Sequence, residues 1–313
     1  MAEDADYRPG AWSGHSFVDA RAAYDANATR TYATAVATGV TAESLVPDRL
    51  VTQSTSPLVV QVDVTGSMGA WPKTIFSKLP YLDIEGKTYL GPDMEISFAA
   101  VGDAYSDKFP LQVEEFGSGT VLETRLANLK VEGGGGGSHH ETYELGALYY
   151  ARNVDMPNAV RPIFIFVADE APYDQVPVAK AREVCKVKIE RVLTVDEVFA
   201  ELKIKYSVYL VHKSFPGGET RKEWVRLIGE DHIADLDDPE RVVDVIFGIL
   251  AKETGKVDYF KSEIEGRQTP VQVQTTYKAL GTVHKASADV PAVIGGKSTM
   301  HRPSGGKPTK GLL

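Results

Sequence analysis

At 313 residues, 43% of them hydrophobic, the chain can bury a substantial core and hold either one large domain with arms or two domains. A formal net charge of -9 argues against a dedicated nucleic-acid binder, and the single cysteine, Cys185, excludes an internal disulfide, fits a reducing compartment and reads as a small core or helix-face residue. No run approaches the ~18 apolar residues of a membrane helix, and the acidic start Met-Ala-Glu-Asp-Ala-Asp lacks the apolar stretch of a signal peptide, so a cytoplasmic location, or incorporation into a particle assembled there, is expected.

In chain order, residues 1–15 read as irregular. Ser16 to Thr38 is an Ala-rich helix with Phe17, Tyr24, Ala28, Tyr32 and Ala35 at helical spacing, stopped by Gly39. A short turn over Thr41 to Leu45 and the linker Thr52 to Pro57 complete an N-terminal arm, 1–56. Leu58-Val59-Val60-Gln61-Val62 is an apolar, β-branched run of the kind that forms a strand buried on both faces. It stops on Asp63, Thr65 and Ser67, with Gly66 and Gly69 allowing a sharp turn, and a helix over Ala70 to Leu82 follows, with Pro72 in its first turn. Met94 to Val101 is a second strand, Leu111 to Phe116 an edge strand paired with it, and Gly119 to Leu129 a helix.

The run Gly133 to Gly137, then Ser138-His139-His140-Glu141-Thr142, leads into a helix over Tyr143 to Asn153. Five consecutive glycines are entropically costly to order, which suits close backbone approach to a ligand. Pro162 to Asp169 repeats the opening pattern of an apolar strand ending on an acid, with Glu170 to Asp174 as the loop after it. Helices over Val176 to Glu190 and Val195 to Leu202, a strand over Tyr206 to His212, a helix over Glu219 to Leu227, a strand over His232 to Leu236 and a helix over Pro239 to Glu253 follow. Strands alternating with helices imply an α/β domain over 57–254, a doubly wound, Rossmann-like and mostly parallel central sheet flanked by helices. Over 255–313 the expectation is a partly extended or disordered C-terminal extension. In it Val271, Val273 and Thr275 alternate with polar residues like one isolated strand, and the acid-free tail Gly295 to Leu313 reads as disordered.

The sheet edge at the carboxyl ends of the strands is where ligands bind in such folds. One carboxylate and two hydroxyls on the turn at 63–67 suit a hard cation such as Mg2+. They also suit a plain strand-to-helix turn, with Thr65 and Ser67 capping the helix and Asp63 serving its N-terminus.

Asp63-Val64-Thr65-Gly66-Ser67 resembles the Asp-x-Ser-x-Ser element of the metal-ion-dependent adhesion site of the von Willebrand factor A family, with Thr in place of the first Ser. Thr142 precedes Ala147-Leu148 by the interval of that family's loop Thr, and Asp169 ends a strand as the family's last acid does. The passage from Asp231-His232-Ile233-Ala234-Asp235-Leu236 into the helix at Pro239 is similar to its closing strand and helix. The glycines followed by His-Glu-Thr look like a bacterial and phage branch without a known activity, and Glu170 stands where the family commonly has Gly.

The resemblance implies a metal set of Asp63, Thr65, Ser67, Thr142 and Asp169 holding Mg2+, or alternatively Mn2+ or Ca2+. Asp103, His139, His140, Glu141 and Glu170 are possible partner contacts or residues behind the ligands. Two carboxylates ~4 Å apart repel by about 4 kcal/mol at an effective dielectric near 20, a penalty a divalent ion removes. The resemblance implies a non-enzymatic module that binds an acidic group of a protein partner, within a larger assembly; charge and hydropathy argue against nucleic acid and membrane as partners. Alternatives are a structural component of a phage particle or similar complex, its arms gripping neighbours, and a metal-dependent hydrolase with Asp103, His139, His140 or Glu170 as proton carrier.

Overall fold

The computed structural model describes residues 40–79, 81–132, 139–214 and 218–285. The expected helix over Ser16 to Thr38, the glycine run and the tail from Gly295 lie outside the described residues.

Six strands form the central sheet: β1 (Leu58–Asp63), β2 (Ile96–Val101), β3 (Leu111–Val113), β4 (Ile163–Ala168), β5 (Ser207–His212) and β6 (Ile233–Asp235). Their order is β6-β5-β4-β1-β2-β3, with only the edge strand β3 antiparallel. β1, β2 and β4 are buried along their whole length, as their unbroken apolar sequences require. Successive residues alternate between two cores. Leu58, Val60 and Val62 face one and Val59 the other, which is the period-two geometry of a strand sandwiched between helical layers.

The helices are α1 (Trp71–Lys78), α2 (Tyr81–Leu90), α3 (Val121–Asn128), α4 (Tyr143–Arg152), α5 (Val178–Glu183), α6 (Val195–Lys205), α7 (Glu219–Ile228) and α8 (Val242–Thr254), followed by α9 (Val257–Arg267), α10 (Pro270–Ala279) and α11 (Gly281–Lys285). One face of the sheet carries α1 to α3 and α8 to α11; the other carries α4 to α7. The architecture is therefore the expected doubly wound α/β sheet. None of the described helices is long and apolar enough to cross a membrane.

Several expectations need correction. The helix expected over Ala70 to Leu82 ends at Lys78, and a separate helix, α2, begins at Tyr81. The helix expected over Val176 to Glu190 is confined to Val178–Glu183; Gln175–Val176 instead pairs antiparallel with Leu193–Thr194, and Lys186 takes a left-handed backbone with φ of 54°. The isolated strand expected at Val271 to Thr276 is helical, inside α10. Thr269 caps α10 through a capping box with Gln272, and Pro270 occupies its first turn. Those start signals outweigh the alternation of three β-branched residues.

Nor are residues 257–285 an extended arm. Phe260, Ile264, Leu280 and Val283 are fully buried in the same core as α8. Gly248 in α8 marks the closeness of that packing, since a Cβ there would lie 2.1 Å from Leu280 Cδ1. At the other end, Val46 and Leu50 join the opposite core, and Leu50–Val51 pairs in parallel with Val154–Asp155. The described part of the N-terminal arm thus packs on the domain.

Candidate functional site

The strand order reverses between β1 and β4, which are parallel neighbours with Val62 opposite Val167. That register brings Asp63, the last residue of β1, and Asp169, the residue after β4, to the same rim of the sheet, at the crevice where doubly wound sheets bind ligands. Both carboxylates are fully buried.

A chain of oxygens joins them. Asp63 Oδ1 accepts from the Thr65 backbone N–H at 2.8 Å and from Thr65 Oγ1 at 2.6 Å, the local turn that a short acid makes with its own backbone. Thr65 Oγ1 lies 3.1 Å from Ser67 Oγ, and Ser67 Oγ donates to Asp169 Oδ1 at 3.0 Å. The turn is held open by a 3-10 segment, Gly66–Met68, ending on Gly69 at φ 60°, a conformation glycine adopts without penalty.

Each hydroxyl has one hydrogen to donate. With the Thr65 proton on Asp63 and the Ser67 proton on Asp169, the 3.1 Å contact between Thr65 and Ser67 has lone pairs on both sides and no proton between. With both acids ionised, the chain of oxygens is one proton short.

Burial, and then the charge of Asp169, push the Asp63 carboxyl up to about 7, against hydrogen bonds from Thr65 and Tyr143 that favour its ionised form. The hydroxyl of Tyr143, at the start of α4, donates to Asp63 Oδ2. Gly146 lets α4 approach β1, because a Cβ there would lie 2.0 Å from Gln61 Oε1. Neither Tyr143 nor Lys213 is among the residues that the sequence singles out. Lys213 follows β5, and its Nζ donates to Asp169 Oδ2 at 2.9 Å and to the Ser67 carbonyl. The available signal was its position: a cation directly after a buried strand that runs beside β4.

Thr142 is buried at the N-terminus of α4, but its hydroxyl donates to the Gly102 carbonyl at 2.6 Å instead of joining the Asp63–Asp169 chain. A hydroxyl that donates in this way keeps its lone pairs for a cation. Its neighbours reach the site on either side, Tyr143 by hydrogen bond and Glu141 by charge.

A second group of acids lies behind. The Glu141 carboxyl is pushed up to about 10 by burial and by the charges of Asp63, Glu170 and Asp103, and burial also raises the neighbouring Glu170. Asp103 accepts from the Tyr105 N–H, the Ser106 hydroxyl and the Tyr173 hydroxyl, which makes it an organiser of its own loop. His139 is exposed with φ of 57°, and His140 stacks on Tyr173 with ring centroids 5.4 Å apart. His140–Glu141 pairs with Ala171–Pro172, tying this loop to the one after β4. Cys185 is buried in the core, as expected.

Among the described residues, no group of three or more His, Cys, Asp or Glu side chains is placed to hold a metal ion. The Asp63–Asp169 chain is made of two carboxylates and two hydroxyls.

No protein-family model and no curated protein matches the sequence. Among solved structures, the chain is similar to proximal thread matrix protein 1 from the mussel byssus, at 10% identity and a TM-score of 0.45 over 66% of this chain and 48% of that one. It is also similar to the pilus adhesin SpaC from Lactobacillus rhamnosus GG, at 13% identity and a TM-score of 0.42 over 69% of this chain and 32% of that one. The chain thus spans about half the length of the mussel protein and about a third of the adhesin.

Proposed function

We propose that this chain is a non-enzymatic, divalent-metal-dependent interaction module of the von Willebrand factor A type, binding an acidic group of a protein partner within a larger assembly. One observation carries the reading. Three oxygen–oxygen contacts link the buried carboxylates of Asp63 and Asp169, and when both acids are ionised two hydroxyl protons serve all three. A cation among these oxygens meets the deficit, and a set made only of oxygens favours a hard one, Mg2+ before Mn2+ or Ca2+. Asp63, Thr65, Ser67 and Asp169 would hold it, with Thr142 contributing from the start of α4.

The bound ion supplies positive charge and an open coordination position to a carboxylate oxygen of the partner. The protein's part is to keep the donors fixed before binding. Thr65 orients Asp63, Ser67 orients Asp169, and Tyr143 pins the second oxygen of Asp63. Hydroxyls in place of further carboxylates leave the ion with charge to spare for the incoming acid. His139 and His140 act here as loop residues, His140 through its stack on Tyr173.

The test is a pull-down from lysate with wild type and Asp63→Asn, each in Mg2+ and in chelator. The reading expects a partner retained only by wild type in Mg2+. Retention that ignores both chelator and substitution contradicts it.

A further inference from the structure

Among the described residues, Lys213 is the lysine paired with a carboxylate of the Asp63–Asp169 chain. Its backbone N–H donates to the Ala168 carbonyl at 2.9 Å, so the last rung between β5 and β4 fixes the root of the side chain beside Asp169. Its ammonium lies 2.9 Å from Asp169 Oδ2 and also bonds the Ser67 carbonyl. Asp169 is fully buried, whereas the Lys213 side chain is 23% exposed. The ammonium therefore reaches into the site from the solvent side. Beyond those two bonds the ammonium faces the Trp71 ring at 6.0 Å from its centroid, the outer limit of a cation–π contact, and its four-carbon stem is flexible.

We propose that Lys213 is a built-in competitor of the divalent ion, a tethered cation that neutralises Asp169 and has to swing away for the ion to be held. This rests on the metal-binding reading above and adds how that site is regulated. An ion bound by Asp63 and Asp169 beside a seated ammonium would bring three positive charges against two carboxylates, and the like charges would repel across a few ångströms of buried space. Competition sets the affinity for the ion low. It also couples ion binding to the release of an ammonium at the rim.

Titration calorimetry with MgCl2 tests it on the full chain, comparing wild type, Lys213→Met, Lys213→Gln and Lys213→Arg, with circular dichroism as the check of folding. Lys213→Met keeps the stem and removes the charge; Lys213→Gln is the polar alternative should the methionine variant fail to fold. Both neutral variants are expected to bind Mg2+ at least tenfold more tightly than wild type, and Lys213→Arg no more tightly. In chelator, the neutral variants are expected to melt below wild type, because Asp169 has lost its counter-ion. Equal or weaker Mg2+ binding by folded neutral variants overturns the competitor role while leaving the metal site standing. Absence of Mg2+ binding in wild type and in every neutral variant overturns both.

Discussion

Asp244 and Asp63 are both fully buried acids, and the chain surrounds them in opposite ways. Asp244, in α8, lies 3.2 Å from Arg241, 3.6 Å from Arg267 and 3.2 Å from the Gln268 amide, and Gln268 in turn accepts from Arg241. That network joins α8 to the end of α9 and meets its negative charge with guanidinium groups as buried as the acid. Asp63 is met by a hydroxyl from Thr65, a phenol from Tyr143 and a second buried acid, Asp169, which pairs with a lysine at the rim. In this helix-joining cluster the one carboxylate faces two guanidinium groups, so the acid is fully countered, and Arg241 also reaches Asp238 at 3.7 Å. At the rim, two carboxylates face one ammonium, and that difference is what supports the proposed metal site.

The comparison can be broken from its structural side first. Deleting 257–313 removes Phe260, Ile264, Leu280 and Val283 from the core and Arg267 from the Asp244 network; the remaining chain is expected to lose its cooperative melting transition. A truncated chain that melts as sharply as wild type would return these helices to the status of a detachable arm. Asp244→Ala leaves two arginines buried without their acid and is expected to cost about 3–5 kcal/mol in urea unfolding. A loss under about 1 kcal/mol would show that the network does not depend on charge closure.

Glu85, on α2, is a graded case. Burial holds its carboxyl up to about 7, against the pull of Arg267 and of the Tyr259 hydroxyl. The folded chain therefore keeps a proton between about 4.5 and 7 that the unfolded chain has lost, so stability falls as pH rises through that window and levels off above it. Glu85→Gln removes this dependence and is expected to gain on wild type across the same window, reaching on the order of 2–3 kcal/mol at pH 8. A constant difference between the two proteins from pH 4 to pH 8 contradicts the assignment. The smallest effect is expected at the rim itself. In chelator, Asp63→Asn keeps the shape and an acceptor oxygen while ending the repulsion from Asp169, so its stability should lie within about 1 kcal/mol of wild type or above it.

The sheet was legible because its strands carry unmistakable chemistry: unbroken apolar runs such as Leu58 to Val62 and Ile163 to Ala168, each handing over to an acid. Two of the site's acids and two of its hydroxyls followed from the same stretches. Lys213 and Tyr143 did not, because their roles depend on which strands are neighbours and on how closely α4 rests on β1, and neither is written locally. The C-terminal helices were missed for a different reason. Val271, Val273 and Thr275 alternate like a strand, while the stronger signal was the Thr269-Pro270 start with Gln272 closing the cap. A local start signal backed by tertiary burial outweighs a three-residue period.

The most direct measurement is the melting temperature of wild type and Asp63→Asn in chelator and in millimolar MgCl2. Ion binding to the folded state alone raises stability by about 2.7 kcal/mol at a hundredfold excess over Kd. The account predicts a clear upward shift with MgCl2 for wild type and none for Asp63→Asn. An unchanged midpoint for wild type, or the same shift in both proteins, contradicts it.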